Sequence, residues 1–154
     1  MAALIRDSLP TDAKMVRLHV SGDFFSDNYF LAWMDVAKAK PETLFYTYTK
    51  SLSIWLRHRS GVPANFKLTA SEGGKHDDLI ESESLKSAKV LFSVEEAREL
   101  GLEIDHDDSH AYASDKSFAL LLHGKQRKDT LAAKAMSALK RAGFKGYSQK
   151  TRRK

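Results

Sequence analysis

Apolar positions alternate with polar ones across residues 14–22 (KMVRLHVSG), which puts Val16, Leu18 and Val20 on one side of a strand that stops at Gly22. The period then changes. Ser26 or Asp27 stands where a helix cap is needed, before an apolar stripe of Phe30, Trp33, Met34 and Ala37, and Pro41 ends the helix. Residues 43–50 (TLFYTYTK) are dense in aromatic and β-branched side chains and predict a second strand. A short helix through Leu52, Ile54, Trp55 and Leu56 follows, and gives way at Ser60, Gly61 and Pro63. Residues 65–71 (NFKLTAS) supply a third strand, and the polar stretch 72–87, with Gly73 and Gly74 adjacent, reads as a long loop with at most one irregular turn.

Residues 89–92 predict a fourth strand, and Ser93 with Glu96 has capping-box spacing for a helix that stops at Gly101. Residues 102–106 are long enough for a short strand, halted by Asp107 and Asp108. Residues 118–123 (FALLLH) are the most continuously apolar run, the pattern of a central parallel strand, and Gly124 ends it. A last helix is expected from Asp129 or Thr130 to Ala142, with Leu131, Ala135, Ala138, Leu139 and Ala142 on its buried side and Gly143 as its stop. Repeated strand-then-helix units specify an α/β fold: a mostly parallel sheet of about five strands with flanking helices, either open or a partial barrel. A complete eight-stranded barrel needs roughly 250 residues and is excluded by length. The organisation expected is an N-terminal lead over residues 1–13, a single α/β domain over 14–147 and a basic tail over 148–154.

Composition narrows the chemistry. The chain has no cysteine, so thiolate nucleophiles, cysteine-ligated zinc and a cysteine-ligated iron–sulfur cluster are excluded. Neither a signal pattern nor a membrane-length apolar run occurs, so the expectation is a cytoplasmic protein without a membrane partner. Charge is uneven: residues 125–154 carry eleven Lys or Arg against one acid, Asp129, while the whole chain is only +5. The body is therefore mildly acidic, and the terminal cations Lys140, Arg141, Lys145, Lys150, Arg152, Arg153 and Lys154 suit the phosphates of DNA or RNA, or else form a solvated helix face and terminus.

Ligands in parallel α/β folds collect beyond the carboxyl ends of strands, so the residues closing each predicted strand are the candidates. His19 and Ser21 share a strand face, and Asp23 follows at the mouth of the sheet, either to orient a base, bind a cation or accept from a substrate, or to turn the chain and cap the next helix. Lys50 offers a point charge to a phosphate or carboxylate, and Tyr48 offers a ring or a phenolic hydrogen bond. Ser71 with Gly73 and Gly74 resembles a backbone anion nest. His123 closes the most apolar strand. Asp23, Lys50, Ser71 and His123 are expected to line one mouth of the sheet, with Asp23, Lys50 and His123 carrying any catalysis. Residues 105–110 (DHDDSH) concentrate carboxylates and imidazoles; alternation on an extended chain lets a subset converge on a divalent metal, either Asp105, Asp107 and His110 or His106 and Asp108, unless the segment is an acidic loop.

Three segments taken together, residues 17–26 (RLHVSGDFFS), 45–50 (FYTYTK) and 102–110 (LEIDHDDSH), resemble a family of bacteriophage and bacterial proteins labelled by a phage gene-product number and described as associated with rolling-circle replication. The resemblance covers most of residues 14–147. Full-length members carry a further N-terminal region with several cysteines, which invites comparison with radical iron–sulfur barrel enzymes. The resemblance thus implies the C-terminal part of a larger fold, a companion polypeptide that supplies the missing part, and a nucleic-acid setting. Three functions follow as expectations: a nucleic-acid-associated protein, a divalent-metal-dependent phosphoryl-transfer enzyme or nuclease, and a noncatalytic interaction protein or degenerate partial enzyme domain.

Overall fold

The structure is a computed structural model that describes residues 1–122 and 127–144. Its elements in chain order are α1 (Ala2–Ser8), β1 (Met15–Arg17), α2 (Asp27–Ala39), β2 (Leu44–Thr49), α3 (Leu52–His58), β3 (Phe66–Ser71), α4 (Asp78–Ser82), β4 (Ser87–Leu91), α5 (Val94–Glu99), β5 (Ile104–Asp105), α6 (Ser109–Ala113), β6 (Phe118–Leu121) and α7 (Leu131–Arg141). The strands follow the order β1-β2-β3-β4-β6-β5, with β1 and β2, β2 and β3, β4 and β6, and β5 and β6 all paired in parallel. This is the α/β class with a largely parallel sheet and flanking helices. Among the described residues the sheet has six strands, the short β5 included because Ile104 and Asp105 pair with Ala119 and Leu120.

The chain divides into two compact units, Met1–Lys86 and Ser87–Lys154. In the first, strand alternation and parallel register align Val16, Phe45 and Phe66 on one face. Phe30, Met34, Val36 and Ala37 of α2 and Leu52 and Trp55 of α3 complete the core there, with Trp33 half-buried against it. Each fully buried Phe contributes about 1.5–3 kcal/mol of transfer free energy. Ser26 caps α2 by accepting from the Tyr29 N–H. Asn65 ties the α2–β2 joint by donating from Nδ2 to the carbonyls of Ala37, Lys40 and Thr43. The first residues form α1, from which Ala2 and Ile5, with Leu9 just beyond its end, pack against the core.

The opposite face of these three strands is polar. Register sets Arg17 beside Tyr46 and Tyr46 beside Lys67, with Tyr48 beside Thr69 in the next row, and the Arg17 guanidinium lies 5.3 Å above the Tyr48 ring. The 72–87 stretch is also more ordered than its composition suggests, since it contains α4 and its last residue starts β4.

The second unit packs Leu91, Ala97 and Ala119 against Leu102 and Ile104, and Ser93 with Glu96 forms the capping box that the spacing predicts. Thr130 caps α7. The apolar face expected on α7 is largely open: Leu139 is buried, but Leu131 is 80% exposed and Ala138 and Ala142 are exposed.

Candidate functional site

The parallel register of β1, β2 and β3 brings their carboxyl ends to one edge, and there Asp23 and Lys50 are joined directly. Asp23 Oδ1 accepts from the Thr49 hydroxyl (2.6 Å) and the Phe24 N–H (2.7 Å), and Oδ2 accepts from the Lys50 N–H (2.6 Å). Thr49 Oγ1 in turn accepts from the Ser51 N–H, and the Ser51 hydroxyl donates to the Phe24 carbonyl at 2.7 Å. Asp23 therefore stitches the β1–α2 loop to the end of β2 and fixes where Lys50 leaves the sheet. The capping of α2 falls to Ser26, and Gly22, at φ +85°, makes the turn.

From that fixed root the Lys50 side chain lies along the glycine loop after β3 and donates from Nζ to the Glu72 carbonyl at 2.9 Å. The positive φ favours glycine at Gly73, and both glycines lie close against Lys50 and Asp77. A Cβ on Gly73 would sit 3.1 Å from Lys50 Nζ, on a residue at φ +91°, and a Cβ on Gly74 would sit 3.3 Å from Asp77 Oδ1 and 3.4 Å from Lys50 Cβ. The paired N–H groups of Gly73 and Gly74 do form an anion nest, but the chain fills it: Asp77 Oδ2 accepts from Gly73 (2.7 Å) and Oδ1 from Gly74 (2.9 Å). In front of the loop opens a pocket of about 630 Å³ lined by Lys50, Ser51, Ser53, Ile54, Gly73, Gly74, Lys75 and His76. Two lysines, an imidazole and two hydroxyls face it, with no carboxylate in the lining. The sequence reading missed Ser51, Ser53, Lys75, His76 and Asp77. Their only signal was a glycine pair followed at once by two basic residues and, three to four residues on, by an aspartate.

Other strand-end candidates separate from this pocket. Ser21 is exposed, and Ser71 and Tyr48 are half-buried on the polar face of β2 and β3. His19, at φ +55°, sits inside a polar and aromatic nest: Nε2 is 3.2 Å from the Tyr29 hydroxyl, Nδ1 is 3.3 Å from Thr47 Oγ1, and Phe24 packs edge-on at 4.6 Å. Burial lowers the His19 pKa below its ordinary 6.5, partly opposed by the Asp23 charge. The unfolded chain then binds a proton that the folded chain resists, so this contribution to stability is intact above pH 6.5 and is lost as pH falls from there toward the lower folded-state value. Urea unfolding between pH 7.5 and 5.5 should show a shallower loss of stability for His19→Gln than for wild type. An unchanged slope would show that His19 does not carry it. Nearby, Asp27 receives both arms of Arg57 (2.9 Å each) and lies 2.7 Å from His58, contacts that hold its carboxyl down at about 2 and tie the start of α2 to the end of α3.

In the second unit the acidic cluster forms a chain of contacts. His110 Nε2 is 3.0 Å from Glu103 Oε2, and its Nδ1 is 3.4 Å from Asp105 Oδ1. Asp105 is buried, and its Oδ1 also accepts from the Asp107 N–H while its Oδ2 has no hydrogen-bond partner. Asp107 accepts from the Ser109 N–H, and hydrogen bonds from Ser109, with lesser help from Asp105 and the His110 charge, lower its pKa. Asp105 and His110 thus meet, and no three His, Asp or Glu side chains among the described residues are placed to hold a metal ion. Lys140 and Arg141 are exposed at the last turn of α7. His123, Lys145, Lys150, Arg152, Arg153 and Lys154 lie outside the described residues.

These features define a parallel α/β protein with a cationic pocket beyond its strand ends. The chain belongs to the Gene product 88 family, whose model matches residues 1–143. No curated protein and no solved structure matches it. Among the described residues no helix is long and apolar enough to cross a membrane.

Proposed function

We propose that this protein binds the phosphates of nucleic acid, with the pocket after β2 and β3 as its principal phosphate site. The observation that carries the reading is Lys50. Asp23 roots its backbone, the glycine loop carries its stem, and its ammonium stands over a pocket that Lys75 and His76 also line. One ammonium hydrogen goes to the Glu72 carbonyl, and the other two remain for an anion. Ser53 adds a hydroxyl donor, while the Ser51 hydroxyl stays on the Phe24 carbonyl. The basic residues of the C-terminal thirty, Lys140, Arg141, Lys145, Lys150, Arg152, Arg153 and Lys154 among them, add sequence-independent attraction to the same polyanion. A cytoplasmic replication role in a phage setting, as the family resemblance implies, suits both features.

A titration of labelled mixed-sequence single-stranded DNA at several salt concentrations tests this. Lys50→Ala should weaken binding about fivefold at low salt and reduce the salt slope by about 0.7, the loss of one phosphate contact. Absence of association at low salt, or equal affinity and slope for wild type and a Lys50→Ala/Lys75→Ala double variant, would overturn the proposal. Neutralising Lys150, Arg152, Arg153 and Lys154 in a separate variant apportions the tail's share.

A further inference from the structure

We infer that the strand bound at this site is single-stranded, with one base stacked on Phe25 while a neighbouring phosphate is held by Lys50. The inference rests on the phosphate-binding reading above and adds to it the form of the nucleic acid.

Phe24 and Phe25 are adjacent yet have opposite fates. Phe24 is 3% exposed and packs edge-on against Phe30 at 4.7 Å, whereas Phe25 is 74% exposed. Its exposure is not looseness. The Phe25 ring stacks on Tyr29 at 4.5 Å with an interplanar angle of 17°, and Tyr29 is held from behind by His19 Nε2 on its hydroxyl and by Trp33 edge-on at 6.4 Å. The result is a pile of two parallel rings, the inner one anchored and the outer one presented to solvent. The last residue of the preceding turn region to show a comparable apolar exposure is Val20, at 89%.

This platform is tied to the phosphate pocket through the backbone of the neighbouring Phe24. Phe24 accepts from Ser51, a pocket-lining residue, and Asp23 holds the backbone of Lys50. A flat π face and a cationic pocket joined through one hydrogen-bonded seam offer separate contacts for the base and for the phosphate of one strand. In a duplex the base faces are already stacked on each other and unavailable, so the ring is of use only to an unpaired strand. Phe25 carries no hydrogen-bonding group to read base edges, so little sequence preference is expected.

The experiment compares a short labelled oligothymidylate, an abasic strand with the same number of phosphates, and a duplex of equal length, each titrated at low salt against wild type, Phe25→Leu, Phe25→Trp and Lys50→Ala. Wild type should bind the thymidylate about tenfold more tightly than the abasic strand. Phe25→Leu should abolish that difference and leave abasic binding unchanged. Phe25→Trp should restore it, with tryptophan fluorescence quenched on binding. Because the ring is exposed, the two Phe25 variants should unfold at the same urea concentration as wild type or nearly so. Equal binding of thymidylate and abasic strand, or a duplex bound as tightly as the single strand, would overturn the inference. If Lys50→Ala still weakens binding in that case, the phosphate reading survives alone and Phe25 serves another partner, such as a protein surface. If no strand binds, both readings fall.

Discussion

Asp23→Ala is expected to lower the free energy of unfolding by about 3 kcal/mol, because it strips the acceptor from three donors at once, each loss costing about 1–3 kcal/mol without full additivity. The Thr49 hydroxyl is the costliest of the three: Thr49 is 1% exposed and has no water to turn to. The Lys50 and Phe24 N–H groups lie nearer the surface and recover part of their loss by hydration. Asp23→Asn, with one acceptor oxygen in place of two and no charge, should fall about halfway, since charge-assisted hydrogen bonds are roughly twice as strong as neutral ones. Urea denaturation of the three proteins measures this directly. A change under about 0.5 kcal/mol for Asp23→Ala, the range of ordinary surface substitutions, would show that the seam between the β1–α2 loop and β2 does not depend on Asp23.

The ends of β2 and β3 were readable in the sequence because each is marked locally. Lys50 and the Gly73–Gly74 pair interrupt the runs of β2 and β3, and parallel strands bring such interruptions to one edge without any need to know the register. The first strand was read too long: β1 ends at Arg17, five residues before Gly22, because the chain turns at His19 (φ +55°) and leaves Val20 89% exposed while Leu18 stays buried. What was not readable depends on distance in sequence. The row Arg17, Tyr46, Lys67 exists only because Arg17 is opposite Tyr46 and Tyr46 opposite Lys67, and a shift of one residue in either pairing would send those side chains to the other face. Tyr48 and Ser71 left the pocket for the same reason: they alternate onto the polar face, while Lys50 follows the last residue of β2 and escapes the alternation. In α1 and just beyond its end three apolar contacts fit within about two turns, too short a run to show a period. On α7 the apolar residues are mostly alanines, which fit a buried or an exposed face equally well, so the pattern marked a helix but misjudged its orientation. The cluster at residues 105–110 is a case where sequence proximity alone was enough to bring side chains together, since Asp105 and His110 meet and Asp107 also accepts from the Ser109 N–H.

Asp77 supplies the other large effect, and it runs toward tighter binding. Its carboxylate occupies the Gly73 and Gly74 N–H groups at 2.7 and 2.9 Å and sets a negative charge behind a pocket whose lining is cationic. A phosphate at Lys50 therefore binds beside an anion the chain already holds, and cannot use the two N–H donors. Removing that carboxylate frees both donors and takes away a like charge at close range, two changes of the same sign. Asp77→Ala should raise the affinity for single-stranded DNA about tenfold, the equivalent of two modest charge-assisted hydrogen bonds, at a cost of about 1–2 kcal/mol in folding stability for the lost loop contacts. Asp77→Asn separates the two contributions: its amide oxygen still occupies one N–H while the charge is gone, so it should bind more tightly than wild type but less tightly than the alanine variant. Inorganic phosphate should compete with the strand more effectively in both variants than in wild type, since the opened nest suits a single phosphate group. Titrations of the three proteins with and without phosphate decide the matter. If neither variant binds DNA more tightly than wild type while both remain folded by urea unfolding, the glycine loop is a structural turn held by Asp77, and the phosphate at Lys50 makes no use of it.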